Sequence, residues 1–137
     1  MPTPNQQKKY PPAWVLLGEA AGEGVNGMEM VADSFLNRSR QRKLPMEEIV
    51  MQPNQYTAAS RPDLEAFAKR QPIMLQNLAE ELIKERQSKT FQPTYPNTEY
   101  VTEELWNRVD DLPKTHWLRK MEAVGKVGHH MILRERR

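Results

Sequence analysis

Apolar residues at helical spacing dominate this chain and leave room for only a small β element. Met28, Val31, Ala32, Phe35 and Leu36 recur at intervals of three and four, which puts them on one face of a helix over residues 28–42. Ile73, Leu75, Leu78, Leu82 and Ile83 form a second buried stripe within residues 63–87, a helical stretch broken or kinked at Pro72. Ahead of both, WVLLGEAAGEG predicts a helix from about Ala13 to near Gly24 or Gly27, because glycine caps helices readily. Pro45 opens a short helix, PMEEIVM, since proline suits a first helical turn. Residues 52–60 and 88–98 read as loops, the first with Pro53-Asn54 as a turn signal. Leu105, Trp106 and Val109 suggest one further turn of helix, and residues 114–121 another. Only the end, AVGKVGHHMILRE, alternates loosely about Gly128-His129, the pattern of a β-hairpin. The expected class is α+β, mainly helical with a small C-terminal β-hairpin.

At 137 residues the chain has the length of one ordinary domain. Residues 13–137 are expected to form it, after a flexible, proline-rich tail over residues 1–12. That tail lacks the apolar middle of a secretory signal. Synthesis in the cytoplasm is therefore expected, with delivery to any external substrate by another route. The longest apolar run, residues 13–17, falls far short of the ~20 residues of a membrane span. No cysteine is present, which excludes disulfide frameworks, thiolate metal sites and thiol nucleophiles together. The formal charge is only +2, but Arg38, Arg40, Arg42 and Lys43 cluster, as do Arg134, Arg136 and Arg137. Such clusters suit an anionic polymer such as cell wall or nucleic acid, or are simply solvated helix ends and tail.

Glu19 is the position that speaks most to chemistry. An apolar helix would desolvate its carboxyl, which favours the neutral acid that a general acid requires. Its neighbours Gly18, Ala20, Ala21 and Gly22 remove bulk, so that a polymer could approach the helix backbone. Glu23, four residues on, is expected on the same helix face, where mutual repulsion would keep one of the two protonated. Against this, Glu19 could pair with a cation across the core and Glu23 could be a solvated helix end. Gln55, Tyr56 and Thr57 could hydrogen-bond a sugar or only tie down their loop. His129 and His130 should point to opposite faces of the hairpin, and no spacing matches a zinc pattern, so neither metal nor cofactor is expected. Trp14, Trp106 and Trp117 suit a core, although an exposed one could stack on a saccharide. No serine has a GxSxG or SxxK context, and the glycine cluster GEAAGEG carries two carboxylates that would repel phosphate.

The order GEAAGEG, FLNRSRQRKLP, IVMQPNQYTA and WLRKMEAVGKVGHHMIL resembles the catalytic domain of the spore cortex-lytic enzymes, the SleB-type cell wall hydrolase family. That family carries an EAxGE helix, an asparagine–arginine pair ending the next helix, a QPxQF/YTA loop and a closing GNHxF hairpin. The resemblance spans about residues 13–134, with residues 61–98 alike only in helical character. It implies a lysozyme-like fold and places the family's catalytic glutamate on Glu19, with Glu23 in support. It places the cleft loop on Gln52, Pro53, Gln55, Tyr56, Thr57 and Ala58, the asparagine–arginine pair on Asn37 and Arg38, read as a structural helix-terminal contact beneath the cleft, and the hairpin histidine on His130. An aromatic-rich strand before the hairpin would correspond to Tyr100 and Trp106. The chain departs from the family at Gly128-His129-His130 and at Ile132, where the family has GNH and a final aromatic.

The resemblance implies cleavage of the bond between N-acetylmuramic acid and N-acetylglucosamine in peptidoglycan, without cofactor. Because Glu19 and Glu23 would share one helix face, a lytic transglycosylase is expected rather than a carboxylate pair flanking the bond. The setting would suit a phage lysin or a virion component with a holin or tail partner. Two other classes compete with it: an idle wall-binding or phage structural module that keeps the fold, and a helical nucleic-acid binder using the basic clusters. The last predicts strongly salt-dependent DNA binding, whereas the enzyme predicts no specific affinity for nucleic acid.

Overall fold

The computed structural model describes residues 9–53 and 55–137. Most of the expected tail, residues 1–8, and Asn54 of the expected Pro53-Asn54 turn lie outside the described residues. What remains of the tail belongs to the folded body. Tyr10 packs on the core and meets the Trp14 ring at 6.2 Å between centroids, and Lys9 bonds Glu48 at 2.8 Å.

Helix α1 spans Pro12–Ala20 and buries Val15, Leu16 and Leu17. It stops short of the expected Gly24, because the chain turns through Ala21 to Glu23 and Gly24 takes a φ of +76°. That left-handed value is open to glycine at little cost and ends one helix while starting the next. Helix α2, Gly24–Arg42, therefore begins four residues before the expected Met28. Its stripe is buried as expected: Met28, Val31, Ala32, Phe35 and Leu36 all face the core. It closes on Lys43, whose own φ of 57° is left-handed and whose N–H bonds Ser39. Helix α3, Met46–Ile49, follows Pro45.

Helices α4, Leu64–Arg70, and α5, Ile73–Arg86, are separated at Gln71-Pro72, where the sequence places its break. The α5 stripe differs from expectation at its start. Leu82 and Ile83 are buried and Leu75 and Leu78 partly so, but Ile73 is 66% exposed. It occupies the first helical position, and the packed face of α5 begins beyond it.

The strands are β1, Glu99–Thr102; β2, Met121–Val127; and β3, His130–Glu135, in the antiparallel order β1-β3-β2. The hairpin turns at Gly128-His129 as the sequence predicts, with Gly128 at φ +58°. Central β3 serves two apolar clusters. Ile132 joins the main helical core, and its neighbour Leu133 joins a smaller cluster with Leu118 and Met121, as alternation along a strand requires. Between β1 and β2 lie helix α6, Glu103–Trp106, and short 3-10 turns at Val109–Asp111 and Trp117–Lys120. Trp106 thus sits on a helix, while Tyr100 lies on a strand. Among the described residues the class is α+β, with α1 to α5 ahead of a small antiparallel sheet, and no described helix is long and apolar enough to cross a membrane.

A row of polar side chains on α2 brings β1 to the helices. Buried Asp33 pairs with Arg86 of α5 at 2.8 Å and accepts the N–H groups of Thr94 and Tyr95 at 3.1 and 3.0 Å. One turn on, Asn37 donates to the carbonyls of Tyr95 and Asn97, both at 2.8 Å. Arg38 then pairs with Glu99, the first residue of β1, and donates to Gln52 at 3.0 Å. The segment between α5 and β1 is neither helix nor strand, and these side chains satisfy backbone groups of Thr94, Tyr95 and Asn97 that no ladder pairs. Asn37 and Arg38 are structural, as expected, but they act from within α2 rather than at its end.

Candidate active site

Glu19 lies in the last turn of α1, half-buried, where the helical layer meets the sheet. Its carboxylate accepts three hydrogen bonds from two other parts of the chain. The Tyr100 hydroxyl on β1 donates to Oε1 at 2.6 Å. The Thr57 hydroxyl and the Ala58 backbone N–H, in the 3-10 turn Thr57–Ser60, meet Oε2 at 3.2 and 3.1 Å. No cation pairs with Glu19 among the described residues, so the alternative of an ion pair across the core does not hold. The environment also differs from the purely apolar one expected, because three donors converge on the carboxyl.

The small residues around Glu19 serve the interior. A β-carbon on Gly18 would lie 2.6 Å from that of Ala58 and 2.9 Å from Leu64 Cδ1. Gly18 therefore permits the 3-10 turn to sit on α1, which brings the Ala58 N–H to Glu19. Ala20 is buried, and only Gly22 faces open space. Gly18 and Ala20 therefore serve packing rather than clearing the expected path for a polymer.

Glu23 is not on the helix of Glu19. It is the N-cap residue of α2 and is exposed, and its Cβ lies where a β-carbon on Gly27 would come within 2.5 Å. The expected pairing of two carboxylates on one helix face is absent because the turn at Gly24 separates them.

The other expected site residues divide. Thr57 reaches Glu19 directly. Tyr56 is buried, its ring edge-on to Phe35 and its hydroxyl 3.1 Å from Ser34 Oγ, so that group is turned to the interior. Burial drives its phenol well above the ordinary range, with the Ser34 bond opposing. Burial likewise raises the Tyr100 phenol well above its usual value, followed by the negative charge of Glu19 and the hydrogen bond to it. Tyr100 consequently keeps its proton. His130 meets Glu19 only through Tyr100, whose ring it touches edge-on at 5.5 Å between centroids, while His129 is exposed in the turn.

Two cavities border the site. One of about 480 Å³ is lined by Thr57, Tyr10, Pro53 and Arg61. Another of about 750 Å³ is lined by Tyr100, Gln55 and Trp117. Glu19 lines neither, and each cavity adjoins it through a residue that hydrogen-bonds its carboxylate.

Compared with known proteins, the chain matches no family model, no curated protein and no solved structure.

The chemistry of the site therefore rests on its own groups. Among the described residues no cluster of three His, Asp or Glu could hold a metal ion. The sequence reading missed the Ala58 N–H, since any residue but proline supplies one, and nothing at Gly18 announces a partner forty residues away.

Proposed function

We propose that this protein cleaves peptidoglycan glycan strands at the β-1,4 bond between N-acetylmuramic acid and N-acetylglucosamine, with Glu19 as acid and then base on a lysozyme-like domain. One observation carries the reading: a carboxylate free of any cation is held by donors from a strand and a 3-10 turn, between two cavities.

The donors also favour one oxygen as the proton carrier. An amide N–H can only donate, so Oε2, facing Ala58, stays an acceptor throughout. A phenol both donates and accepts, so Oε1, facing Tyr100, is the oxygen that carries the proton in the acid form. In the proposed reaction that proton passes to the glycosidic oxygen as the bond from C1 of the muramoyl residue breaks and positive charge builds on the ring. Oε1 then takes the proton of the muramoyl C6 hydroxyl, whose oxygen closes on C1 to give a 1,6-anhydro end. The alternative is that water attacks C1 and leaves a reducing end.

Transglycosylation is favoured because, among the described residues, the expected partner Glu23 does not accompany Glu19, and Glu99, beside Tyr100, is engaged by Arg38. Glu23 belongs to a different helix and packs on Gly27. A glycosidase using two carboxyls needs both to flank the bond. Delivery as a phage lysin or virion component, with a holin or tail partner, belongs to the same proposal. Release of dye-labelled peptidoglycan fragments by the native protein but not by Glu19→Gln tests the activity. Equal inactivity of the two on several walls would instead support an idle wall-binding module.

A further inference from the structure

The cavity beyond Tyr100 is built unlike the rest of the surface. Its wall carries Trp117, which at 47% exposure is the most open tryptophan and stacks on His116 at 5.9 Å between ring centroids. Around it stand four cations, Arg38, Arg42, Lys120 and Arg136, against two carboxylates, Glu99 and Glu135. Arg38 is consumed by its ion pair with Glu99. Among the described residues Arg42 and Lys120 have no ion pair, and Arg136 only donates to the carbonyl of Met121 at 3.2 Å. The lining thus carries a surplus of two positive charges beside an open aromatic ring, with Arg42 also acting on Glu99 at longer range.

We infer that this cavity is a binding subsite for a carboxylate-bearing saccharide, with the sugar ring on Trp117 and its carboxylate among Arg42, Lys120 and Arg136. An indole face is an apolar platform with a polar edge, suited to the C–H face of a sugar. A carboxylate matches arginine's paired donors. A polyanionic strand is disfavoured on two grounds: the surplus is only two charges, with Glu135 at the rim, and about 750 Å³ holds a few sugar rings rather than a track for a duplex. Tyr100 lines the cavity and donates to Glu19 at 2.6 Å, so this one side chain links the bound ring to the carboxyl. For the identity of the strand the inference rests on the glycan-cleaving reading. On that reading the carboxylate is one of the stem peptide carried by the muramoyl sugar, whose own lactyl carboxyl is taken up in the amide bond to that peptide.

The full-length native protein is titrated with N-acetylmuramyl-L-alanyl-D-isoglutamine, a glucuronate-containing trisaccharide, neutral tri-N-acetylchitotriose and a short single-stranded DNA. Tryptophan fluorescence and calorimetry provide the readouts. Saturable binding of the muramyl dipeptide, at least tenfold tighter than that of the neutral trisaccharide and weakened at least fivefold by 0.5 M salt, is expected. The fluorescence change should vanish in Trp117→Phe. The double variant Lys120→Glu/Arg136→Glu should weaken binding at least fivefold, and the helix-surface variant Arg42→Gln should do so in the same direction. Preference for the dipeptide over the glucuronate sugar supports the muramoyl assignment, and equal binding of both supports recognition of the carboxylate alone. No binding, equal affinity for the neutral sugar, indifference to the charge variants or tighter binding of the DNA each overturns the inference. Cleavage of wall without cavity binding would sink this subsite alone. Binding without cleavage would sink the lytic reading and leave the ligand class standing.

Discussion

Gly18 and Ala58 lie so close that a β-carbon on the glycine would stand 2.6 Å from that of the alanine. This approach joins α1 to the 3-10 turn and delivers the Ala58 N–H to the Glu19 carboxylate at 3.1 Å. Gly18→Ala should force the two elements apart, lower stability by about 1–3 kcal/mol as overpacking does, and reduce activity through the displaced N–H. Gly22→Ala, where nothing lies within 4 Å, should leave both intact. Urea denaturation alongside a fragment-release assay distinguishes the pair.

Tyr100→Phe removes the 2.6 Å hydroxyl while keeping the ring against His130. A hydrogen bond to a charged group is worth about 1.5–3 kcal/mol. If the reaction uses it in full, glycan cleavage should fall about 10- to 100-fold at unchanged fold content by circular dichroism. Undiminished turnover would remove Tyr100 from the site.

Parts of this arrangement were legible in the sequence and parts were not, for identifiable reasons. The α2 stripe from Met28 to Leu36, the break at Pro72 and the turn at Gly128 follow from side-chain spacing and from residues with restricted or permissive backbones, and the structure has them. The end of α1 was misplaced because alanine and glutamate favour continuing the helix, whereas Gly24 breaks it through a φ of +76°. Strand β1 has four residues and no alternation, and it exists because β3 pairs with it and α2 holds the segment before it. Glu19 stood out in the sequence, but its partners lie 38, 39 and 81 residues away, at separations no local pattern encodes.

Asp33→Ala should be the most destabilising of the single substitutions considered. It leaves Arg86, 3% exposed, without its carboxylate and frees the N–H groups of Thr94 and Tyr95. Breaking a buried pair by removing one partner costs about 3–5 kcal/mol. Denaturant midpoints should drop accordingly, and amide exchange at Thr94 and Tyr95 should accelerate more than exchange in β2.

Alkaline pH should unfold the protein through Tyr56 and Tyr100. Both phenols are pushed above their ordinary values, burial being the chief cause. Unfolded tyrosines ionise near about pH 10. Above that pH the folded chain keeps protons that the unfolded chain has lost, so stability falls as pH rises. It is fully present below about pH 10 and declines by about 1.4 kcal/mol per pH unit for each buried phenol above it. Urea midpoints measured at pH 9 and pH 11 should show the loss, with a flatter slope in Tyr56→Phe.

The most direct test of the central claim is mass spectrometry of muropeptides released from purified peptidoglycan by the native protein and by Glu19→Gln. Anhydro-muramoyl ends from the native protein, reduced about 10²- to 10⁴-fold in the variant as loss of an acid/base group implies, are the predicted result. Identical digests from the two proteins, or cleavage confined to peptide bonds, would contradict it.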